Sequence, residues 1–333
     1  MAPRDAIAER NSRDEAEEFN SKVREAKDEI VAMVDNRLGW GGSTNFVGST
    51  SYAGNVVLVV EHGVGGERVV IQFPSPGVIH SGWRDEMLEN EVTAMDVVRT
   101  FTNIPVPRVL SWGLSEQSPR RLGPFLIREC LMEKGKPLSH FIGLPLEKGK
   151  QGGGCILDPK IDDKTMDIVY EQLALLLLKL SRLTFPHIGA ISKSEEPGIA
   201  CPWSVTWQPL TQDMNEVVTM GDYPPDGFGK TGAFDSAGAY FYARAQQLDS
   251  HLYRQRNIAG NDPNLAWKQF SARRFFADLI PEYCVEDTGP FRFFCEGLQP
   301  ANILFDEKTF RITGVVNFGL SNAMPAQYVN DLP

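Results

Sequence analysis

Two short β-rich runs, over residues 55–61 and 67–73, are joined by His62-Gly63-Val64-Gly65-Gly66. Glycine-bearing linkers between such runs mark hairpins, because glycine takes the positive φ angles that tight turns demand. Residues 84–101 then read as a helix, with Met87, Leu88, Val92, Met95 and Val98 on one face. Ile104-Pro105-Val106-Pro107 stops it: proline lacks the N–H a helix needs and pushes its predecessor toward extended backbone. Short strands are predicted at 109–112 and 125–130. The order strand, strand, helix, strand, strand makes a β-rich first lobe.

The pattern then changes. Gly135 and Pro137 mark a boundary, and residues 151–154 read as a flexible loop. Residues 165–183 form a long helix, apolar nearly all round at Leu173, Leu175, Leu176, Leu177, Leu178 and Leu180, and such a helix belongs in the middle of a domain. Residues 202–232, rich in Pro and Gly, read as a long ordered loop flanked by Trp203 and Trp207, which are expected to pack, with stacking on a substrate as the alternative. Helices are predicted at 235–256 and 263–280, the second capped by Asp262 with Pro263 at its first position. A short hairpin spans 303–305 and 310–316. A β-rich lobe followed by a mainly helical one is an α+β, two-lobed chain.

Ahead of both lobes, Ser12-Arg13-Asp14-Glu15 reads as a capping box opening a helix. Its stripe of Ala16, Phe19, Val23, Ala26, Ile30 and Met33 either packs on its own domain or meets a coiled-coil partner. The chain divides into an N-terminal helical extension (1–38), a first lobe (39–132) and a second lobe (133–333).

Composition narrows the function classes. The 333 residues carry 43 acidic and 33 basic side chains, a net charge of −10. A chain so charged lacks the positive field that displaces counterions from nucleic-acid phosphates. No run of about 20 apolar residues could cross a membrane, and residues 1–11 show no secretory signal. Five cysteines without a C-x-x-C pair argue against zinc and a disulfide framework, so a reducing cytoplasmic setting is expected.

Several stretches resemble the fungal branch of the aminoglycoside phosphotransferase family. They are Val69-Val70-Ile71-Gln72-Phe73-Pro74, Ile104-Pro105-Val106-Pro107, Leu180-Ser181-Arg182-Leu183-Thr184-Phe185-Pro186-His187-Ile188-Gly189 and Gly289-Pro290-Phe291-Arg292-Phe293-Phe294-Cys295. Leu298-Gln299-Pro300-Ala301-Asn302-Ile303-Leu304 and Arg311-Ile312-Thr313-Gly314-Val315-Val316 complete the set. The resemblance runs from about Gly39 to Gln327. It implies a protein-kinase-like fold that holds ATP and Mg²⁺ between its lobes and phosphorylates a small-molecule hydroxyl. It also implies a shortened second lobe. Relatives continue with further helices after the segment resembling Pro325-Ala326-Gln327-Tyr328, and the apolar surface left here would invite a protein partner.

Phosphoryl transfer is mostly positioning and charge neutralisation. Residue by residue, the resemblance puts the helix acid at Glu91 and the phosphate-binding cation at Gln72, where a neutral amide stands instead. In Cys295-Glu296-Gly297-Leu298-Gln299-Pro300-Ala301-Asn302, the positions of Leu298, Pro300 and Asn302 put Gly297 where relatives carry the catalytic Asp. Glu296 is the candidate substitute base. Asn302 keeps a metal-binding oxygen, or bonds local backbone as turn asparagines do. The main Mg²⁺ ligand falls on Asn317, an amide that can ligate without neutralising. The adenine contacts would come from Glu129, Cys130, Leu131 and Met132. A weak glycine loop lies between Gly48 and Gly54.

Two functions follow: a degenerate, pseudokinase-like member that binds a nucleotide or small molecule, or regulates a partner; or an active ATP-dependent small-molecule phosphotransferase with a rearranged site. A truncated gene product without a role of its own is a third reading.

Overall fold

The computed structural model describes residues 5–52, 54–145, 155–193, 203–228, 232–255, 259–260, 262–284 and 286–329. The flexible loop expected at 151–154 lies outside them.

The first helix, α1 (Ala6–Glu25), starts earlier than the expected capping box. Asp5 caps it, accepting from the Ile7 and Ala8 amides, and Ser12 instead donates its hydroxyl to the Thr219 carbonyl. The chain breaks at Ala26 into α2 (Lys27–Leu38), which Gly39 ends in the left-handed region. The stripe of Phe19, Val23, Ala26, Ile30 and Val34 is buried against the first sheet. It packs within its own molecule, so the coiled-coil alternative is corrected: no seam is left for a partner.

Strands β1 (Thr44–Tyr52), β2 (Asn55–His62) and β3 (Arg68–Pro74) precede α3 (Arg84–Phe101), and β4 (Val109–Gly113) and β5 (Phe125–Glu129) follow it. They form an antiparallel sheet in the order β1-β2-β3-β5-β4. Strand β1 is unexpected in so Gly- and Ser-rich a segment; its pairing with β2 carries it. The period-two rule sorts the sheet. Val69, Ile71, Phe73, Phe125 and Ile127 face α1 and α2, whereas Leu126 faces α3. Gln72 and Arg128 share that α3-facing side.

The second lobe opens with β6 (Lys136–Pro137), α4 (Leu138–Ile142), β7 (Gly143–Pro145), β8 (Cys155–Leu157) and α5 (Asp163–Ser181). Helix α5 buries only Val169, Leu176 and Leu180, while Leu175 and Leu178 are exposed, so it lies on the surface rather than mid-domain. Next come β9 (Thr184–Phe185), β10 (Gly189–Lys193), β11 (Trp203–Trp207), α6 (Gln212–Thr219), α7 (Ala237–Arg254) and α8 (Pro263–Tyr283). The expected long loop at 202–232 therefore holds a strand and a helix; Thr211 caps α6 by accepting from the Met214 amide. Asp262 caps α8, with Pro263 first, as expected. The chain closes with β12 (Phe291–Cys295), β13 (Ile303–Asp306), β14 (Arg311–Val315), β15 (Ser321–Met324) and α9 (Ala326–Val329).

The two lobes make a mixed α+β fold. The second lobe also carries a five-stranded sheet, β11-β10-β15-β12-β9. Helix α3 joins the lobes, because Leu88, Met95 and Val98 share one core with Leu126 on one side and Ile191, Phe293 and Ala323 on the other. Helix α6 is bolted to the first lobe. Buried Asn215 accepts from the His80 amide at 2.9 Å and donates to the Val78 carbonyl at 2.6 Å, and Asp5 N–H donates to the Met220 carbonyl at 2.7 Å.

Candidate functional site

Gln72 and Glu91 meet between the sheet and α3. Both are buried, and the Gln72 amide donates to both Glu91 oxygens, at 3.2 and 3.1 Å. Burial pushes the Glu91 carboxyl up; the Gln72 amide, the positive charge of Arg128 and the Phe318 N–H oppose that shift. Arg128 is the functional candidate the sequence reading missed. Val70 pairs with Arg128 in the β3–β5 register, so Arg128 and Gln72 are diagonal neighbours on one face. The Arg128 Nε donates to the Gln72 Oε1 at 3.2 Å. A guanidinium has thus come in from the next strand toward the place where the resemblance expects a cation. The available signal was an arginine interrupting the apolar run Phe125-Leu126-Ile127.

The loop between β12 and β13 is drawn tight around Gly297. Its carbonyl accepts from the Asn302 side-chain amide at 2.7 Å and from the Gln299 backbone at 2.9 Å. A Cβ on Gly297 would lie 2.1 Å from the Asn317 carbonyl oxygen, so the loop fills the space a side chain would need. Asn317 itself takes the left-handed region at φ 66°, which asparagine tolerates better than most residues. The same carbonyl faces the Cys295 thiol at 3.7 Å, and burial pushes that thiol up to about 11. Asn302 donates its side-chain amide to the loop, while its Oδ1 is buried with no partner among the described residues.

Glu296 points elsewhere. Its carboxylate accepts from the Gln212 N–H at the start of α6. Burial, then the negative charges of Asp213 and Glu216, push its pKa up to about 7. Arg244 lies within reach and is ion-paired to Asp213.

Of the remaining positions, Glu129 accepts from the Lys134 ammonium at 2.7 Å, and its own N–H bonds the Arg108 carbonyl. Cys130 is partly buried with a free thiol, and Met132 is exposed. Leu131 packs on Leu304 and Val316. The Gly48–Gly54 stretch belongs to the β1–β2 hairpin, whose tip reaches the second lobe: the Tyr52 hydroxyl donates to the Ala301 carbonyl.

Gln72, Glu91, Arg128 and Asn317 therefore converge at one place, with Gly297 and Asn302 beside it and Glu296 turned toward α6. Gly319 lies beside both Glu91 and Asn317: a Cβ built there would stand 3.7 Å from Glu91 Oε2 and 3.5 Å from Asn317 Oδ1. The oxygens at the expected metal positions are both neutral amides, and one carbonyl, on Asn302, is uncommitted. Mg²⁺ prefers hard anionic oxygen, so this donor set does not fit a catalytic Mg²⁺. Among the described residues, no group of three or more His, Cys, Asp or Glu side chains is placed to hold a metal. Nor is any helix long and apolar enough to cross a membrane.

No protein-family model matches the chain, and no curated protein matches it. Among solved structures, it is similar to a thermostable mutant of an aminoglycoside phosphotransferase in ternary complex with ADP and hygromycin B. The identity is 13% over 88% of this chain and 72% of that one, with a TM-score of 0.48.

Proposed function

We propose that this chain is a pseudokinase-like relative of the aminoglycoside phosphotransferases, which acts by binding rather than by phosphoryl transfer. One observation carries the reading: the place where the catalytic Asp belongs is a glycine pressed against the Asn317 carbonyl. General-base positioning contributes on the order of 10²–10⁴-fold to such reactions, and here there is no room for the group that would supply it. The neutral amides of Gln72, Asn302 and Asn317 extend the same loss to phosphate and metal binding. Nucleotide, where it binds, is held by the scaffold alone.

The test compares ATP with and without Mg²⁺ by calorimetry and thermal shift. A ligand that binds only the native state raises the unfolding midpoint. The reading expects that Mg²⁺ adds nothing to any ATP-induced shift. A strongly Mg²⁺-dependent affinity overturns it.

A second reading, an active phosphotransferase with a non-standard site, is favoured by Arg128, whose guanidinium reaches Gln72 and is attracted by Glu91. It requires that Arg128→Gln abolish measurable ATP turnover.

A further inference from the structure

A groove of about 1190 Å³ runs along α3, between the edge strand β4 and strands β10 and β11. Glu86, Glu89, Thr93 and Asp96 recur at three- and four-residue spacing and share one face of the helix. Glu91 projects from the opposite side, so this groove is not the cleft described above.

The two ends of the groove differ. Toward the end of α3, Asp96 is paired with Lys193 at 2.6 Å, and Arg99 and Arg108 join the lining. Toward its start, the floor is Glu86, Glu89 and Asn90, and no cation pairs with either carboxylate among the described residues. Two tryptophans form the walls at this end. Trp112 is the next-to-last residue of β4, three residues before Ser115, which bonds Asp85 in the first turn of α3. Trp207 pairs with Ala190 at the end of β10 away from Lys193. Both rings are open to the groove, Trp112 at 38% and Trp207 at 57% exposure. The expectation that Trp207 packs is therefore corrected. Trp203 does pack, edge-on against Phe101.

A third observation is independent of charge. Asn90 lines the same end, is only 8% exposed, and its side-chain amide makes no hydrogen bond among the described residues. The amide is not sealed from solvent, so it is open to a partner entering the groove. Burial, and then the charge of Glu89 on Glu86 and of Asp85 on Glu89, also pushes both carboxyls up. Two unpaired acids and an unpartnered amide thus face one space among the described residues.

We propose that the Trp112–Trp207 end of this groove binds a small organic cation, an amine or quaternary ammonium. Ring faces attract a cation through their quadrupole, the two carboxylates supply charge, and Asn90 supplies a hydrogen bond to a polar substituent. Arg99 and Arg108 hold the cation at the acidic end. The inference stands apart from the nucleotide cleft.

The test is a ligand-observed NMR titration of the full chain, without nucleotide, using tetramethylammonium, spermidine and, as neutral near-isostere, tert-butanol. At least one cation is expected to bind saturably, with tert-butanol weaker by roughly tenfold or more. Glu89→Gln and Trp207→Ala, both at exposed positions, should each weaken the cation roughly three- to tenfold while leaving the unfolding midpoint in place. Absence of saturable binding by both cations, equal binding of tert-butanol, or wild-type affinity in both variants overturns the proposal. Since no sample contains ATP or Mg²⁺, none of these results bears on the cleft.

Discussion

Gly297 and Asn317 touch through backbone: a Cβ on the glycine would stand 2.1 Å from the asparagine's carbonyl oxygen. On the pseudokinase-like reading proposed above, the missing carboxylate is a matter of the chain's path and not just of one side chain. The segment after Asn317 also delivers the Phe318 N–H to Glu91. Making room at 297 therefore disturbs the one buried acid that the site retains.

Gly297→Ala should destabilise the protein by about 1–3 kcal/mol, the usual cost of overpacking a closed site. Gly48→Ala is the control, because nothing lies within 4 Å of a Cβ there. Urea midpoints of the two variants and the wild type decide it. Equal midpoints for all three would mean that the loop yields freely and that an Asp could be restored.

Glu296 gives the protein a pH dependence with a definite sign. Its folded pKa is raised to about 7 from an ordinary 4.5, so the folded state holds the proton more tightly than the unfolded state. Its contribution is most favourable below about pH 4.5 and is lost as pH rises through about 7. Glu296→Gln keeps an acceptor for the Gln212 amide and removes the titration. Relative to the wild type, the variant should gain roughly 3 kcal/mol between those limits. Unfolding midpoints of both proteins across the range measure it, and parallel curves would contradict it.

Much of the first lobe could be read from residue order alone. The α3 stripe, the prolines that end it, and the alternation in β2 and β3 are local signals, and they lie where the sequence put them. Strand β1 was hidden because Gly48, Ser49, Thr50 and Ser51 have little strand preference, and only pairing with β2 orders them. Strand β11 and helix α6 were hidden by the prolines and glycines around them. The Gln72–Glu91 pairing was legible only through the family resemblance of the two motifs. The approach of Arg128, the turning of Glu296 toward Gln212, and the blocked space at Gly297 depend on contacts distant in sequence, which no local pattern encodes.

Tyr52→Phe removes the hydroxyl that bridges the β1–β2 hairpin to Ala301. A single hydrogen bond contributes about 0.5–1.5 kcal/mol net, so global stability should fall by no more than that. The local effect should be larger: hydrogen exchange at the hairpin tip should accelerate, while β3 and β5 stay protected. An unchanged tip would show that the hydroxyl does not hold the lobes together.

Asn215→Ala strands two backbone groups, the His80 N–H and the Val78 carbonyl, at the junction of α6 with the first lobe. Leaving buried groups unsatisfied costs about 1–3 kcal/mol each. A drop in the unfolding midpoint, with faster exchange of the His80 amide, is the expected result. A neutral substitution would mean that α6 is held by its apolar contacts and by the Ser12–Thr219 and Asp5–Met220 hydrogen bonds without the help of Asn215.

The most direct test of the lost transfer is ATP consumption by the purified chain with Mg²⁺, over a panel of amino sugars, alcohols and hydroxylated metabolites. The account predicts no consumption above the protein-free background with any acceptor. Turnover that requires an acceptor and disappears in Glu296→Ala or Arg128→Gln would contradict it.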